Sequence, residues 1–307
     1  MDTALLITQL LNGLQLGVLL FLLAAGLTLI FGIMDFINLA HGSFYMVGAY
    51  ICGTLVALLD SFVLGVILAI PLTLAVGYVA ELVVARTLYA RDHLDHVLAT
   101  FGLILIFDTA VHLFWGAEGM AIPLPDWLNG QIAVSETILL PTYRIAIISV
   151  GLAVAVGLYV LVTRTRIGML IRAGASNRTM VQALGVDIKR LFSLVFAAGA
   201  AIAGLAGMMV SPITEASIGM GNDIIIVAFV VIIIGGIGSV KGAFVGALIV
   251  GMIDTMGRSY LDQFMKLFMS DQNAETAAPA VSAMLIYILM AAILAVRPQG
   301  LFPPRVR

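Results

Sequence analysis

Apolar residues run along this chain in long blocks, cut at intervals by short clusters of polar and charged ones. Stretches free of Asp, Glu, Lys and Arg occupy Thr3–Met34, Phe36–Leu59, Ser61–Ala80, Val97–Phe107, Ile145–Thr163, Leu191–Thr214, Ile224–Val240 and Thr276–Val296. A hydrocarbon core about 30 Å thick takes about 20 residues of helix to cross, and backbone polar groups in lipid have to be satisfied within their own segment. The pattern predicts an all-α, polytopic membrane protein with about eight transmembrane helices, some of them broken. One break is Asp35–Gly42 and the other is "GGIGSVKG", Gly235–Gly242. The residues that follow them echo each other, "GSFYMVGAY" at 42–50 and "GAFVGAL" at 242–248 with one residue skipped. Glycine-interrupted segments in two halves of a membrane chain point to a transport path, because unwound backbone at that depth lines a cavity.

Composition agrees: of 307 residues 62% are hydrophobic and 10% charged, against about a quarter charged in soluble domains. The longest polar connections fall below the size of an independent soluble core, so residues 1–307 read as one membrane domain. Only Asp2 precedes the first apolar run, which is far longer than a signal core, and the run is expected to stay as a span. Cys52 is the only cysteine, which excludes a disulfide within the chain and a cysteine metal site. Basic residues fix the orientation. Arg164, Arg166, Arg172, Arg178, Lys189 and Arg190 crowd the segment 163–190, Arg86 and Arg91 sit in 86–96, and Arg297, Arg305 and Arg307 mark the tail. These three regions are expected in the cytoplasm. The connection 116–141 has no basic residue, three acids (Glu118, Asp126, Glu136) and three prolines (Pro123, Pro125, Pro141), and suits an external loop.

Polar groups at membrane depth cost several kcal/mol when unpaired, so Asn38, His41 and Ser43 have to face protein, water or a solute. With Gly42 letting backbone approach closely, the first break reads as part of a substrate path, joined by Gly235, Gly236 and Gly238 of the second. A short cytoplasmic turn with a solvated His41 fits the same residues. Asp108 and His112, four apart, share a helix face. They read as a proton relay or as interhelical glue, and glue fits better, since proton coupling recruits several such groups. His93 and His96 in "RDHLDH" lack the further ligands a metal site needs and read as solvated. "GGIGS" is followed by no Gly-Lys-Ser/Thr, so the chain holds no nucleotide site. Small residues four apart, Gly13 and Gly17, Ala200 and Gly204, Ala203 and Gly207, Gly242 and Gly246, are spaced for helix packing.

Segment 163–190 reads as two short amphipathic helices, the first through Ala173, then a break at 174–177, the second ending at Leu184 with Gly185 as its cap. Such a pair lies on anionic lipid or docks into a groove of a soluble partner. At this point a resemblance adds to the residues. "GLTLIFGIMDFINLAHGSFYMVGAY" (26–50), "LATFGL" (98–103), "IRAGASNRTMVQALGVDI" (171–188), "FAAGAAIAGLAGMM" (196–209), "GGIGSVKGAFVGALIVG" (235–251) and "RPQGLF" (297–302) make the sequence similar to permease subunits of branched-chain amino-acid ABC importers.

That resemblance implies a type II ABC importer-like permease in a bacterial inner membrane. It implies a second homologous permease subunit, two cytoplasmic ATP-binding subunits and a periplasmic or extracellular substrate-binding protein, with no cofactor, metal, nucleic-acid partner or catalytic residue. Segment 163–190 would be the coupling element seated in a cleft of the ATPase, with Arg172, Ala173, Asn177, Ala183 and Gly185 at the matching positions, although the initial Glu of the general coupling consensus is missing. Asp108 and His112 match no family motif. The cargo would be branched-chain or related amino acids. Permeases for urea or short amides carry the same motifs and stay open as an alternative. An ion-coupled secondary carrier would need Asp108 and His112 and could dispense with the basic loop. An intramembrane enzyme would need a metal cluster or a nucleophile and base, which the spans do not offer.

Overall fold

The computed structural model describes residues 3–135 and 138–302; Glu136, Arg305 and Arg307 lie outside the described residues. The chain runs α1 (Thr3–Met34), α2 (His41–Leu59), α3 (Phe62–Ala80), a π-helical turn (Glu81–Ala85), α4 (Arg86–Leu88) and α5 (His93–Trp115). An antiparallel hairpin, β1 (Gln131–Ser135) and β2 (Ile138–Pro141), closes the loop before α6 (Thr142–Arg164). Then come α7 (Arg166–Ser176), α8 (Arg178–Ala183), α9 (Ile188–Thr214), α10 (Met220–Gly235), α11 (Val240–Met265) and α12 (Asp271–Val296).

Among the described residues eight helices are long and apolar enough to cross a membrane, and α10 is a shorter apolar helix. The number agrees with the sequence pattern but the membership does not. The run Ile224–Val240 corresponds to the short α10 and the break after it, whereas the crossing helix α11 was hidden by Lys241, Asp254, Arg258 and Asp262. Near its C-terminal end these charges pair locally, Arg258 with Asp254 at 3.0 Å and Lys266 with Asp262 at 2.9 Å. Counting α10, the described residues hold nine apolar helices, which puts the first turn of α1 and the last turn of α12 at opposite ends of the bundle.

Contacts sort the connections into two ends. At one, Asp35 meets His93 at 3.3 Å, Arg178 donates to the Ile33 carbonyl at 3.2 Å, and the amides of Leu301 and Phe302 donate to the carbonyls of Ile234 and Gly235, both at 2.9 Å. At the other, Met120 pairs with Ala216 and Trp115 donates to Thr54 at 2.7 Å. The first end carries the arginine-rich segments, which the positive-inside rule expects on the inner side.

Helices α1 and α9 are enclosed by the bundle, whereas α5, α6 and α12 present most of their apolar surface outward. Small residues make the enclosure possible. A Cβ on Gly13 or Gly17 would collide with Met252 or Leu248 of α11, and one on Gly251 with the backbone of Gly17. Close backbone approach of this kind gives helices in lipid their dispersion contact, where no hydrophobic force drives them together.

Candidate functional site

The first break begins where α1 stops at Met34 and Asp35 turns left-handed, with φ 52°. Asn38 and His41 are fully buried and Ser43 nearly so, so His41 is not a residue of a solvated turn. Its Nε2 lies 3.2 Å from the Leu23 carbonyl, and a Cβ on Gly26 would touch the same ring. The imidazole is thus level with residues eight to eleven positions before the end of α1, or about 12–16 Å in along its axis at 1.5 Å per residue. Among the described residues, both amide atoms of Asn38, Nδ1 of His41, Oγ of Ser43 and Oγ1 of Thr28 have no hydrogen-bond partner. Gly42 turns toward α10: a Cβ there would run into the Gly221 carbonyl, and one on Gly221 into Gly42.

The second break is satisfied from within the chain. Gly236 and Gly238 take φ of 105° and 82°, and Ser239 caps α11 through Oγ to the Gly242 amide at 3.1 Å. The tail folds beneath, with Leu301 and Phe302 occupying carbonyls that end α10. These are orphan groups that every helix C-terminus leaves. Gly235 packs on Gly242, and Gly238 packs on Gly32 near the end of α1, so this break lies beside the first. Each of the two echoing stretches opens a helix directly after its break, α2 and α11.

At the inner end the basic segment forms the expected hairpin, with α7 running on through Gly174 to Ser176. Asn177 separates the helices and caps α8, its Oδ1 accepting from the Met180 amide at 2.9 Å. Gly185 has φ 85°, its amide bonds to the Gln182 carbonyl at 2.9 Å and that of Val186 to Val181 at 3.3 Å, a Schellman cap. Val181 is buried, while Met180 and Leu184 are 58% and 76% exposed. Arg172, Ala183 and Gly185 are exposed and Ala173 half-buried. The hairpin therefore presents an apolar knob, Met180 and Leu184, away from the bundle.

Asp108 and His112 do not pair with each other. Asp108 Oδ2 accepts from Asn222 Nδ2 at 3.1 Å, joining α5 to the first turn of α10, while His112 is exposed. His96 does not lie in a solvated loop either. It sits in the first turn of α5, buried, with Nε2 2.9 Å from the Leu88 carbonyl and its ring against Phe36.

Sequence reasoning missed one buried polar cluster, centred on the fully buried Glu81. Its carboxylate accepts from Arg86 at 3.3 and 3.2 Å and from the Tyr89 hydroxyl at 2.9 Å, and Arg86 also donates to Ser193 of α9 at 2.6 Å. Burial, reinforced by the Glu81 charge, holds the Tyr89 hydroxyl well above the usual phenol range. A π turn places residues five apart on one side, and that spacing, Glu81 to Arg86 at the end of an apolar run, was the available signal. Among the described residues no cluster of three or more His, Cys, Asp or Glu could hold a metal.

Residues 9–294 match the family described as branched-chain amino acid transport system permease component. The chain is 34% identical over 266 residues to the high-affinity branched-chain amino acid transport system permease protein BraD of Pseudomonas aeruginosa, covering 81% of this chain and 85% of that one. It is 30% identical over 273 residues to the LivH permease of Escherichia coli, also named for high-affinity branched-chain amino acid transport, covering 82% and 86%. The ribose import permease RbsC of Haemophilus influenzae is 25% identical over 232 residues, covering 72% and 70%. No solved structure matches the chain significantly.

Proposed function

Because the chain belongs to the permease-component family of branched-chain amino acid transport systems, we propose that it is the multi-pass membrane subunit of an ATP-driven importer of branched-chain or related amino acids. Residues 1–307 act as one permease unit in a bacterial inner membrane. The subunit has no ATPase site of its own. Energy enters through two cytoplasmic ATP-binding subunits, solute arrives from an external binding protein, and the path forms with a second homologous permease. The observation that carries this reading is the hairpin α7–α8, whose exposed Met180 and Leu184 suit a groove on a soluble subunit. Arg172, Ala173, Asn177, Ala183 and Gly185 shape that element, and the loop 116–141 faces the binding protein.

Along the path the three polar residues and the four glycines play different parts. The Asn38 amide, Nδ1 of His41 and the Ser43 hydroxyl supply polar atoms without a partner among the described residues. Gly42, Gly235, Gly236 and Gly238 set the close packing and the turns that hold the breaks in place. A ligand shifts an equilibrium only by its differential affinity for the two states, so ATP has to act on the partner subunits and reach these breaks through the hairpin.

The test is reconstitution of the complete complex in proteoliposomes with radiolabelled leucine, isoleucine and valine. Uptake should require ATP and the binding protein, and Leu184→Arg should abolish uptake while leaving the permease in the membrane. ATP-independent uptake, or normal uptake by Leu184→Arg, would overturn the reading.

A further inference from the structure

Resting on that reading of α7–α8, we propose that Arg178 is the residue through which the hairpin moves the first break, as a positioning residue acting on α1 and on a train of aromatic rings. Arg178 opens α8 and is half-buried under the bundle. Its Nη2 donates to the Ile33 carbonyl, one of the last four of α1 and therefore without an intrahelical partner. A guanidinium there also faces the negative end of the helix dipole. The same guanidinium carbon lies 5.3 Å from the centroid of Phe192 on α9, within the reach of a cation–π contact.

From Phe192 the contacts continue without a gap to the buried polar residues of the break. Phe192 meets Tyr89 edge to face at 5.3 Å, and Tyr89 meets Phe36 at 5.8 Å. Phe36, inside the break, meets Phe196 at 6.3 Å; Phe196 meets Phe44 at 5.9 Å, and Phe44 meets His41 at 6.3 Å. Tyr89 is not free to swing aside, because its hydroxyl is tied to Glu81, which Arg86 ties in turn to Ser193. A displacement of α8 therefore acts on two points of the break, on the end of α1 directly and on Phe36 through two braced rings.

Spatial continuity alone does not establish coupling; a perturbation that separates transport from hydrolysis does. In the reconstituted complex, Arg178→Ala should keep ATP hydrolysis near the wild-type rate and lower amino-acid uptake roughly tenfold, within the range that coupling free energies between sites produce. Arg178→Lys, which keeps the charge and a donor for the Ile33 carbonyl, should recover most of the uptake. Phe192→Leu should raise the ratio of ATP hydrolysed to solute carried, and combining it with Arg178→Ala should add less than the sum of the two, since both break one chain.

A purely structural role predicts instead that hydrolysis and uptake fall together, and that result overturns the proposal, as does a wild-type ratio in Arg178→Ala. Should Arg178→Ala fail to assemble, Phe192→Leu decides the matter alone: a raised ratio supports the linkage and an unchanged one overturns it. Failure of the underlying reading shows separately, as normal uptake in Leu184→Arg.

Discussion

The cluster around Glu81 makes an asymmetric prediction. Glu81 is fully buried, whereas the Arg86 side chain is 33% exposed. Replacing Arg86 by Ala leaves a buried carboxylate with the Tyr89 hydroxyl as its one remaining side-chain donor, and removing one partner of a buried pair costs roughly 3–5 kcal/mol. Replacing Glu81 by Ala strands no buried charge: Arg86 keeps Ser193 and can turn its head toward water, and what is orphaned is the neutral Tyr89 hydroxyl, at about 1–3 kcal/mol. Arg86→Ala should therefore be the more harmful by about 1–2 kcal/mol, although both variants erase the same ion pair. Tyr89→Phe removes a single bond and should be milder than either. The assay is heat-induced loss of monodispersity of the assembled complex in detergent, read as a midpoint temperature for each variant. Midpoints should fall in the order wild type, Tyr89→Phe, Glu81→Ala, Arg86→Ala. Glu81→Leu combined with Arg86→Met should recover much of the loss, because apolar residues of similar size replace a buried pair with little penalty. Arg86→Ala as stable as Glu81→Ala, or more so, would refute the reasoning.

Three further outcomes are expected. Gly42→Ala and Gly221→Ala each force a Cβ into the other's backbone and should destabilise by about 1–3 kcal/mol; uptake lost with the midpoint unchanged in the same detergent assay would show that Gly42 acts on solute and not on packing. His112→Ala should leave uptake as in wild type, whereas Asp108→Ala removes the bond to Asn222 and should lower the midpoint by an amount matching about 1–2 kcal/mol; dependence of uptake on His112 would revive a proton relay. Because Cys52 is buried, cysteines placed at exposed Leu267 and Leu184 can be labelled selectively: a membrane-impermeant maleimide should reach Leu267→Cys in intact cells and Leu184→Cys only after permeabilisation, and labelling of both from outside would break the nine-helix topology.

Much of this fold was legible because lipid leaves so few solutions. A block of apolar residues long enough to cross can hardly be anything but helix, and the basic segments marked one end of the bundle. The capped hairpin was legible too, since Asn177 and Gly185 carry their conformations in their chemistry. What failed was any inference that equated charge with the end of a span. Glu81 and Arg86 continue the third crossing through a π turn, and α11 crosses with Asp254, Arg258 and Asp262 paired near its C-terminal end. Pairing depends on where a side chain lands in three dimensions, and a hydropathy window has no access to that. His96 was misplaced for the same reason: its neighbours in sequence are polar, but its neighbours in space are Phe36 and the Leu88 carbonyl.

The two breaks looked equivalent in sequence, and their hydrogen bonds separate them. At the second, the tail and Ser239 satisfy the exposed ends of α10 and α11, so its glycines are explained by packing alone. At the first, Asn38, His41 and Ser43 leave four buried polar atoms without partners among the described residues. Each such group costs about 1–3 kcal/mol when left unpaired, and apolar side chains of similar shape would avoid the expense. Retention of that penalty makes sense where the groups meet something the chain itself does not supply, either solute or the water that accompanies it. Asn38→Leu and Ser43→Ala then give opposite signs in two assays: the folded permease should become as stable as wild type or more so, and uptake should fall. If both variants instead destabilise the bundle and transport normally, those atoms serve the fold, and the path has to be sought elsewhere.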